Sequence, residues 1–375
     1  MGSDQPETGR RAFLGGSLAG VCGAAVASTG LWAGTGASAQ TTRPKGAEAV
    51  KQPAVVGYTN TRGILIERAS YPARTLGTRL VANVFKPAGF DPGRKYPAIV
   101  VTHPFGGVKE QTAGLYAARL AEQGFITLAF DKSYQGESGG EPRLMEVPGQ
   151  HIDDINSSID YLIQQPGADA DNVGSLGVCA GGSYALGNAP TEMRVKAVAT
   201  VSLFDLGDAR RRAMGSLSYE ARMQRLKEVA EQRNKEVQGA PLQMALAVPA
   251  SNADFTDKTP PLYREGYEYY RTPRGQHPHA PGDYVFTSLA QQMTFFPFAQ
   301  SETISPRPIL LIVGEKADTK FWSDEVLAKA QSPKELFVVP GATHVDMYDK
   351  PQYVGPAVEK LSGFLRQHLG GARAA

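Results

Sequence analysis

The run Gly177-Val178-Cys179-Ala180-Gly181-Gly182 sets glycines two residues either side of a single thiol. A short apolar stretch, 173–178, leads into it and a small-residue segment follows. Strand, tight turn and helix, with a nucleophilic side chain at the turn, is the pattern of a nucleophile elbow. The turn forces its central residue into a strained backbone conformation, and the flanking glycines keep β-carbons from colliding. Cys179 then stands at a helix N-terminus, where partial positive charge lowers a thiol pKa. The alternative is a buried structural cysteine in a Gly-rich turn, because short glycine patterns recur by chance.

A thiol nucleophile needs a base, and the base needs an orienting acid. With an elbow, the chain order is nucleophile, acid, histidine. Gly314-Glu315-Lys316-Ala317-Asp318 follows a strand ending at Val313, and Asp318 is the expected acid, with Glu315 and Asp205 as alternatives. Pro340-Gly341-Ala342-Thr343-His344 follows the last strand, 335–339, and presents His344 as the expected base. His103 opens the loop His103-Pro104-Phe105-Gly106-Gly107 and reads as structural. The backbone N–H groups of Phe105, in that loop, and of Ala180, after the nucleophile, are the expected oxyanion hole. His151 sits at a helix start and His368 near the C-terminus. His277 and His279 read as polar contacts, because no third metal ligand accompanies them; no metal is expected.

The elements that position these groups follow from hydrophobic periodicity. Residues 62–74 and 78–86 read as an antiparallel pair of strands. The apolar runs 96–102, 125–130, 173–178, 197–203 and 308–313 read as strands buried on both faces. Helical stripes lie between them at 110–123 and at Ile152, Ile155, Ile159, Leu162 and Ile163, and a last helix is expected at 357–369. Alternation with short connections predicts an α/β fold: a mostly parallel sheet with helices on both faces. His103, Asp131, Cys179 and Asp205 all fall at strand carboxyl ends, where ligands bind in such folds.

The alternation stops near Gly207 and resumes at Arg307. About 100 residues are thus inserted between two sheet strands, far beyond an ordinary loop. The expected organisation is a core of 55–206 and 307–370 with a lid at 207–306. The lid carries a charged helix at 217–237 and then aromatic, Pro-rich text. Tyr270, Arg271 and Arg274 in the lid, with Tyr134 in the turn 134–140, are the expected substrate contacts.

Arg10-Arg11-Ala12-Phe13-Leu14 is a twin-arginine pattern, followed by an uncharged small and apolar run ending at Ala37-Ser38-Ala39. This order reads as an export signal over 1–39, with a polar linker at 40–54, and predicts a periplasmic or secreted protein. The run is too poor in Leu and Ile for a good spanning helix. Of the two cysteines, Cys22 lies in the signal, so cleavage leaves Cys179 alone and unable to form an internal disulfide. A net charge of +2 without a basic block gives no reason to expect nucleic acid or an anionic membrane. No cofactor is expected, because the glycines lack the spacing of a phosphate loop.

The loop at 103–107, the turn at 134–140, the elbow at 177–182 and the segment 340–344 together resemble the dienelactone-hydrolase-like α/β hydrolases. The closest-looking subgroup is bacterial and related to fungal polyketide transferases; it has a Tyr-Tyr-Arg-Thr-Pro-Arg-Gly segment like that at 269–275. The likeness spans about residues 61–368. It implies an α/β-hydrolase fold and a Cys-His-Asp triad, which maps onto Cys179, His344 and Asp318. Asp318 stands one residue further from the strand glycine than the family's common Gly-x-x-Asp. The lid is absent from small dienelactone hydrolases. The expected activity is cleavage of a small-molecule ester, lactone or thioester. The alternatives are an acyl transferase on the same residues, or a non-catalytic binding protein on a hydrolase fold.

Overall fold

A computed structural model describes residues 54–60, 62–212, 217–253, 255–371 and 373–374. The expected signal, 1–39, and all of the linker but Ala54 lie outside the described residues. The chain opens with β1 (Leu65–Pro72) and β2 (Arg79–Lys86), which pair antiparallel as expected. Then come β3 (Arg94–Thr102), α1 (Thr112–Glu122), β4 (Ile126–Asp131), α2 (Pro148–Leu162), β5 (Ala168–Val178), α3 (Ala180–Asn188) and β6 (Val195–Val201). The inserted segment supplies α4 (Leu206–Arg212), α5 (Tyr219–Val237), β7 (Met244–Leu246), α6 (Pro261–Tyr270), β8 (Asp283–Val285) and α7 (Leu289–Met293). The sheet resumes with β9 (Ile309–Gly314), α8 (Lys320–Lys329), β10 (Lys334–Val339) and α9 (Pro351–Leu369). A short β11 (Arg373–Ala374) pairs with the start of β3.

The main path across the sheet is β1-β2-β4-β3-β5-β6-β9-β10. Pairing is parallel from β4 through β10 and antiparallel at β1-β2 and β2-β4. Every residue of β4 and β9 is buried, which requires cover on both faces and explains their unbroken apolar text. This is the mostly parallel α/β sheet that the alternation predicts, in the α/β-hydrolase arrangement that the resemblance implies. The insertion adds no strand to that sheet; β7 and β8 pair only with each other. Residues 51–375 form one compact unit, so the insertion packs with the rest rather than standing apart. The last helix starts six residues before the expected 357, with Pro351 in its first turn, where the missing N–H costs nothing. No helix among the described residues is long and apolar enough to cross a membrane.

Candidate active site

Cys179 ends β5 and caps α3 with φ 56° and ψ −123°, a backbone region that a non-glycine residue adopts only when its surroundings enforce it. The enforcement is visible in the neighbours. A β-carbon on Gly177 would come within 2.1 Å of the Gly181 carbonyl oxygen, and one on Gly181 within 2.2 Å of the Thr102 carbonyl oxygen. Both glycines are therefore required by close backbone packing, and the turn cannot relax. The Cys179 N–H donates to the Val201 carbonyl at 3.0 Å, which ties the elbow to β6.

The sulfur is nearly enclosed; Cys179 is 8% exposed. The backbone N–H groups of Ala180 and Phe105 and the Tyr348 hydroxyl are near enough to favour its thiolate, and Phe105 and Tyr348 line the same cavity as Cys179. Burial nevertheless pushes the thiol up to about 11. The expectation of a lowered thiol is corrected: enclosure disfavours the thiolate more than the helix N-terminus and the neighbouring N–H and O–H groups favour it.

His344 is fully buried in the loop after β10. Its backbone carbonyl accepts from the Ser202 hydroxyl at 2.9 Å, which anchors the loop to the end of β6. Nδ1 lies 2.6 Å from Thr319 Oγ1, and Nε2 lies 3.3 Å from the Tyr348 hydroxyl. Placing the ring proton on Nδ1, donated to Thr319, leaves Nε2 to accept from Tyr348. Burial alone moves the imidazole down to about 3, with no carboxylate beside it to raise it.

Asp318 does not make the bond expected of it. Its Oδ2 accepts from the Leu262 N–H at 3.1 Å, in the first turn of α6. A carboxylate there satisfies an N–H with no intrahelical partner and faces the positive end of the helix dipole. The physical reason is competition. The lid brings a helix start to the loop after β9, and Asp318 caps it while the next residue, Thr319, faces the imidazole. The alternatives fare no better: Glu315 accepts from the Gly341 N–H at 2.8 Å, and Asp205 accepts from the Asp208 N–H at 2.8 Å.

The inserted segment and the core line a pocket together. Phe105, Phe204, Val248, Leu262, Tyr263 and Tyr270 line a cavity that reaches Cys179, with Arg210 on one wall. It holds about 700 Å³ counted to its open mouth. The Tyr270 hydroxyl is buried there without a well-aligned partner. The Arg210 guanidinium sits 4.9 Å from the ring centres of both Phe105 and Tyr284. Of the expected substrate contacts, only Tyr270 lines this cavity. Arg274 instead pairs with Asp349 at 2.6 Å and donates to the Val345 carbonyl at 3.1 Å, fastening the lid to the histidine loop. Arg271 binds the Pro281 carbonyl and Asp283, within the lid. Tyr134 is held at φ 70° in its own loop, with the Gly140 backbone against its ring.

Two groups at the site carry no sequence signal of a catalytic role. Tyr348 is the fourth residue after His344, in a short 3-10 turn, and only the fold aims it at Cys179. Lys132 follows β4 and is fully buried beside Glu146, at 3.1 Å, with Tyr184 and His151 on the same carboxylate. Burial alone would raise Glu146; Lys132 and His151 reverse this and hold it well below the usual carboxylate range. His103 Nε2 accepts from the Lys132 N–H at 3.2 Å and its Nδ1 meets the Pro104 carbonyl, a bracing position under the oxyanion loop.

The sequence profile of the dienelactone hydrolase family matches residues 81–203, the segment that runs through the oxyanion loop and the elbow. The uncharacterised protein YcjY of Escherichia coli is 37% identical over 298 residues, covering 77% of this chain and 94% of that protein. The chain belongs to the dienelactone hydrolase family. A crystal structure of the hypothetical protein PA2218 of Pseudomonas aeruginosa superposes with a TM-score of 0.79 at 33% identity, over 85% of this chain and 98% of that one. Acyltransferase drtE of Aspergillus calidoustus is 24% identical over 292 residues, 75% of this chain and 90% of that protein. Dienelactone hydrolase family membership makes the chain an α/β hydrolase with a small-molecule substrate, and its relatives include both hydrolases and acyl transferases.

Proposed function

We propose that the chain hydrolyses an ester, lactone or thioester through Cys179, with His344 as the base. The observation that carries this reading is the elbow itself: a thiol held at φ 56° between two glycines that no other residue could replace, lining a cavity that Phe105 lines too. When sulfur bonds to a carbonyl carbon, the carbonyl oxygen turns to the Phe105 and Ala180 N–H groups, where a developing oxyanion is stabilised in a water-poor site. Collapse expels the alcohol or thiol and leaves an acyl-thioester, which water then cleaves. A thiolate is itself a good leaving group, so unactivated amides are poor substrates. Twin-arginine export and cleavage after Ala39 belong to the same proposal.

The test is hydrolysis of p-nitrophenyl acetate, butyrate and octanoate by the chain from Gln40, beside its Cys179→Ala variant. Activity that disappears in the variant, with a trapped acyl-enzyme at Cys179 by mass spectrometry, is the expected result. An unchanged rate in the variant would reject the reading.

The apolar lid favours one second reading. Walls such as Val248 and Leu262 over Cys179 exclude water and give a bound alcohol the advantage as acyl acceptor. The acyltransferase relative supports it. Product analysis with and without an added alcohol separates the two: a transferase forms the new ester in preference to the free acid.

A further inference from the structure

We propose that Tyr348 is a catalytic residue whose hydroxyl carries the proton between Cys179 and Nε2 of His344, so that the two never exchange it directly. The inference rests on Cys179 being the nucleophile. Among the described hydrogen bonds, the partner of Nε2 is the Tyr348 hydroxyl, at 3.3 Å, and Tyr348 lines the same cavity wall as Cys179, near enough that each shifts the other's hold on its proton. One O–H therefore stands between the acid and the base of the reaction. It has no freedom to leave. Tyr348 is 2% exposed, its ring lies edge-on to Tyr269 at 5.2 Å, and the His344 ring is 5.7 Å away. The fold gives this hydroxyl a fixed place on the reaction path.

The resting charges fit a concerted relay. Burial holds the thiol and the imidazole neutral, so no thiolate–imidazolium pair waits in the closed site. The phenol is pushed well above its ordinary value, so a free tyrosinate is not an intermediate either. In acylation the S–H bond breaks and its proton moves to the Tyr348 oxygen while the Tyr348 proton moves to Nε2. The sulfur electron pair forms the S–C bond, and the carbonyl π pair goes to the oxygen, held by the Phe105 and Ala180 N–H groups. On collapse the carbon–leaving-group bond breaks. The departing oxygen or sulfur takes the proton from Tyr348, which regains one from Nε2. In deacylation the water oxygen bonds to the acyl carbon as its proton passes through Tyr348 to Nε2; the C–S bond then breaks, and the sulfur keeps that electron pair and takes the proton back along the same path.

The test compares the wild-type chain with Tyr348→Phe, which keeps the ring and removes the hydroxyl. The expected result is a kcat lower by about 100-fold with KM within about twofold, the range of a lost proton-transfer group. Plotted against the deuterium fraction of the solvent, the wild-type rate should curve, from two protons in flight, and the variant should give a straight line. A variant as fast as wild type, or faster, would overturn the relay and leave the hydroxyl as a mere obstacle. If the variant melts early, the wild-type isotope plot decides alone, and a straight line there overturns the proposal. An active Tyr348→Phe beside a dead Cys179→Ala rejects the relay but keeps the nucleophile. A fully active Cys179→Ala rejects the nucleophile first.

Discussion

Thr319 Oγ1 lies 2.6 Å from Nδ1 of His344, and both residues are fully buried. A neutral hydroxyl in this position orients the ring and fixes its tautomer but does little to stabilise an imidazolium. Thr319→Val should therefore cost about what one neutral hydrogen bond is worth, about 1 kcal/mol or fivefold in kcat. Thr319→Asp should raise the base strength of His344 by placing an anion beside it, visible as a downfield imidazole proton resonance. A Thr319→Val loss of a thousandfold or so would mean that the hydroxyl does far more than orient.

Asp318→Asn discriminates sharply between roles. Removing the charge of a triad aspartate drops kcat by about 10⁴-fold. A helix cap survives the change, because the amide oxygen still accepts from Leu262. The expected loss is less than about tenfold, with no fall in melting stability at neutral pH, because burial already pushes the Asp318 carboxyl above its ordinary value and offsets the helix-end interaction. Steady-state kinetics and a thermal melt on one variant check both.

The Cys179 thiol is pushed up to about 11 by burial, so its thiolate fraction should still be rising tenfold per pH unit across the neutral and mildly alkaline range. Ultraviolet thiolate absorbance, read against Cys179→Ala, measures this directly in the chain from Gln40. A titration complete by about pH 8 would contradict the enclosed geometry.

Asp205 offers a stability test with a defined sign. Burial raises its carboxyl to about 6, opposed by the Asp208 N–H and by Arg211. Below about pH 3 the group is protonated in both folded and unfolded chains and carries no penalty. As pH rises from about 4 to about 6 the unfolded chain ionises first, and stability is lost. Asp205→Asn should match wild type near pH 3 and exceed it by about 2–3 kcal/mol near pH 8, measured by denaturant unfolding.

Arg274 and Asp349 meet side-on, with both Nε and a terminal nitrogen bonded to the carboxylate. Both are only partly exposed, and the pair joins the lid to the loop that carries His344. Arg274→Ala should destabilise by about 1–2 kcal/mol and raise KM more than it lowers kcat, because it loosens pocket walls rather than the reacting groups. A pure kcat effect would place Arg274 in the chemistry instead.

The sequence by itself determined what short-range sterics and periodicity can determine. Unbroken apolar runs specify doubly covered strands, and the helix stripe through Ile155, Ile159 and Leu162 specifies the apolar buried row of α2, though not the polar row of His151, Asp154 and Ser158 buried beside it. The glycine spacing around Cys179 specifies an elbow, because Gly177 and Gly181 are required within the same turn. His344 was legible from its place after the last strand, and the Phe105 and Ala180 N–H groups from the loops they share with glycines. Only the tertiary structure decided which side chains meet. Asp318 and Thr319 are adjacent, and which of them faces the histidine depends on a helix start some 56 residues earlier in the chain, at Leu262. The same holds for Tyr348, which shares a cavity wall with Cys179, and for Arg271 and Arg274, whose charges are absorbed by Asp283 and Asp349. Burial, too, is a property of the assembled molecule: a helix N-terminus favours a thiolate locally, and the enclosing lid reverses the outcome.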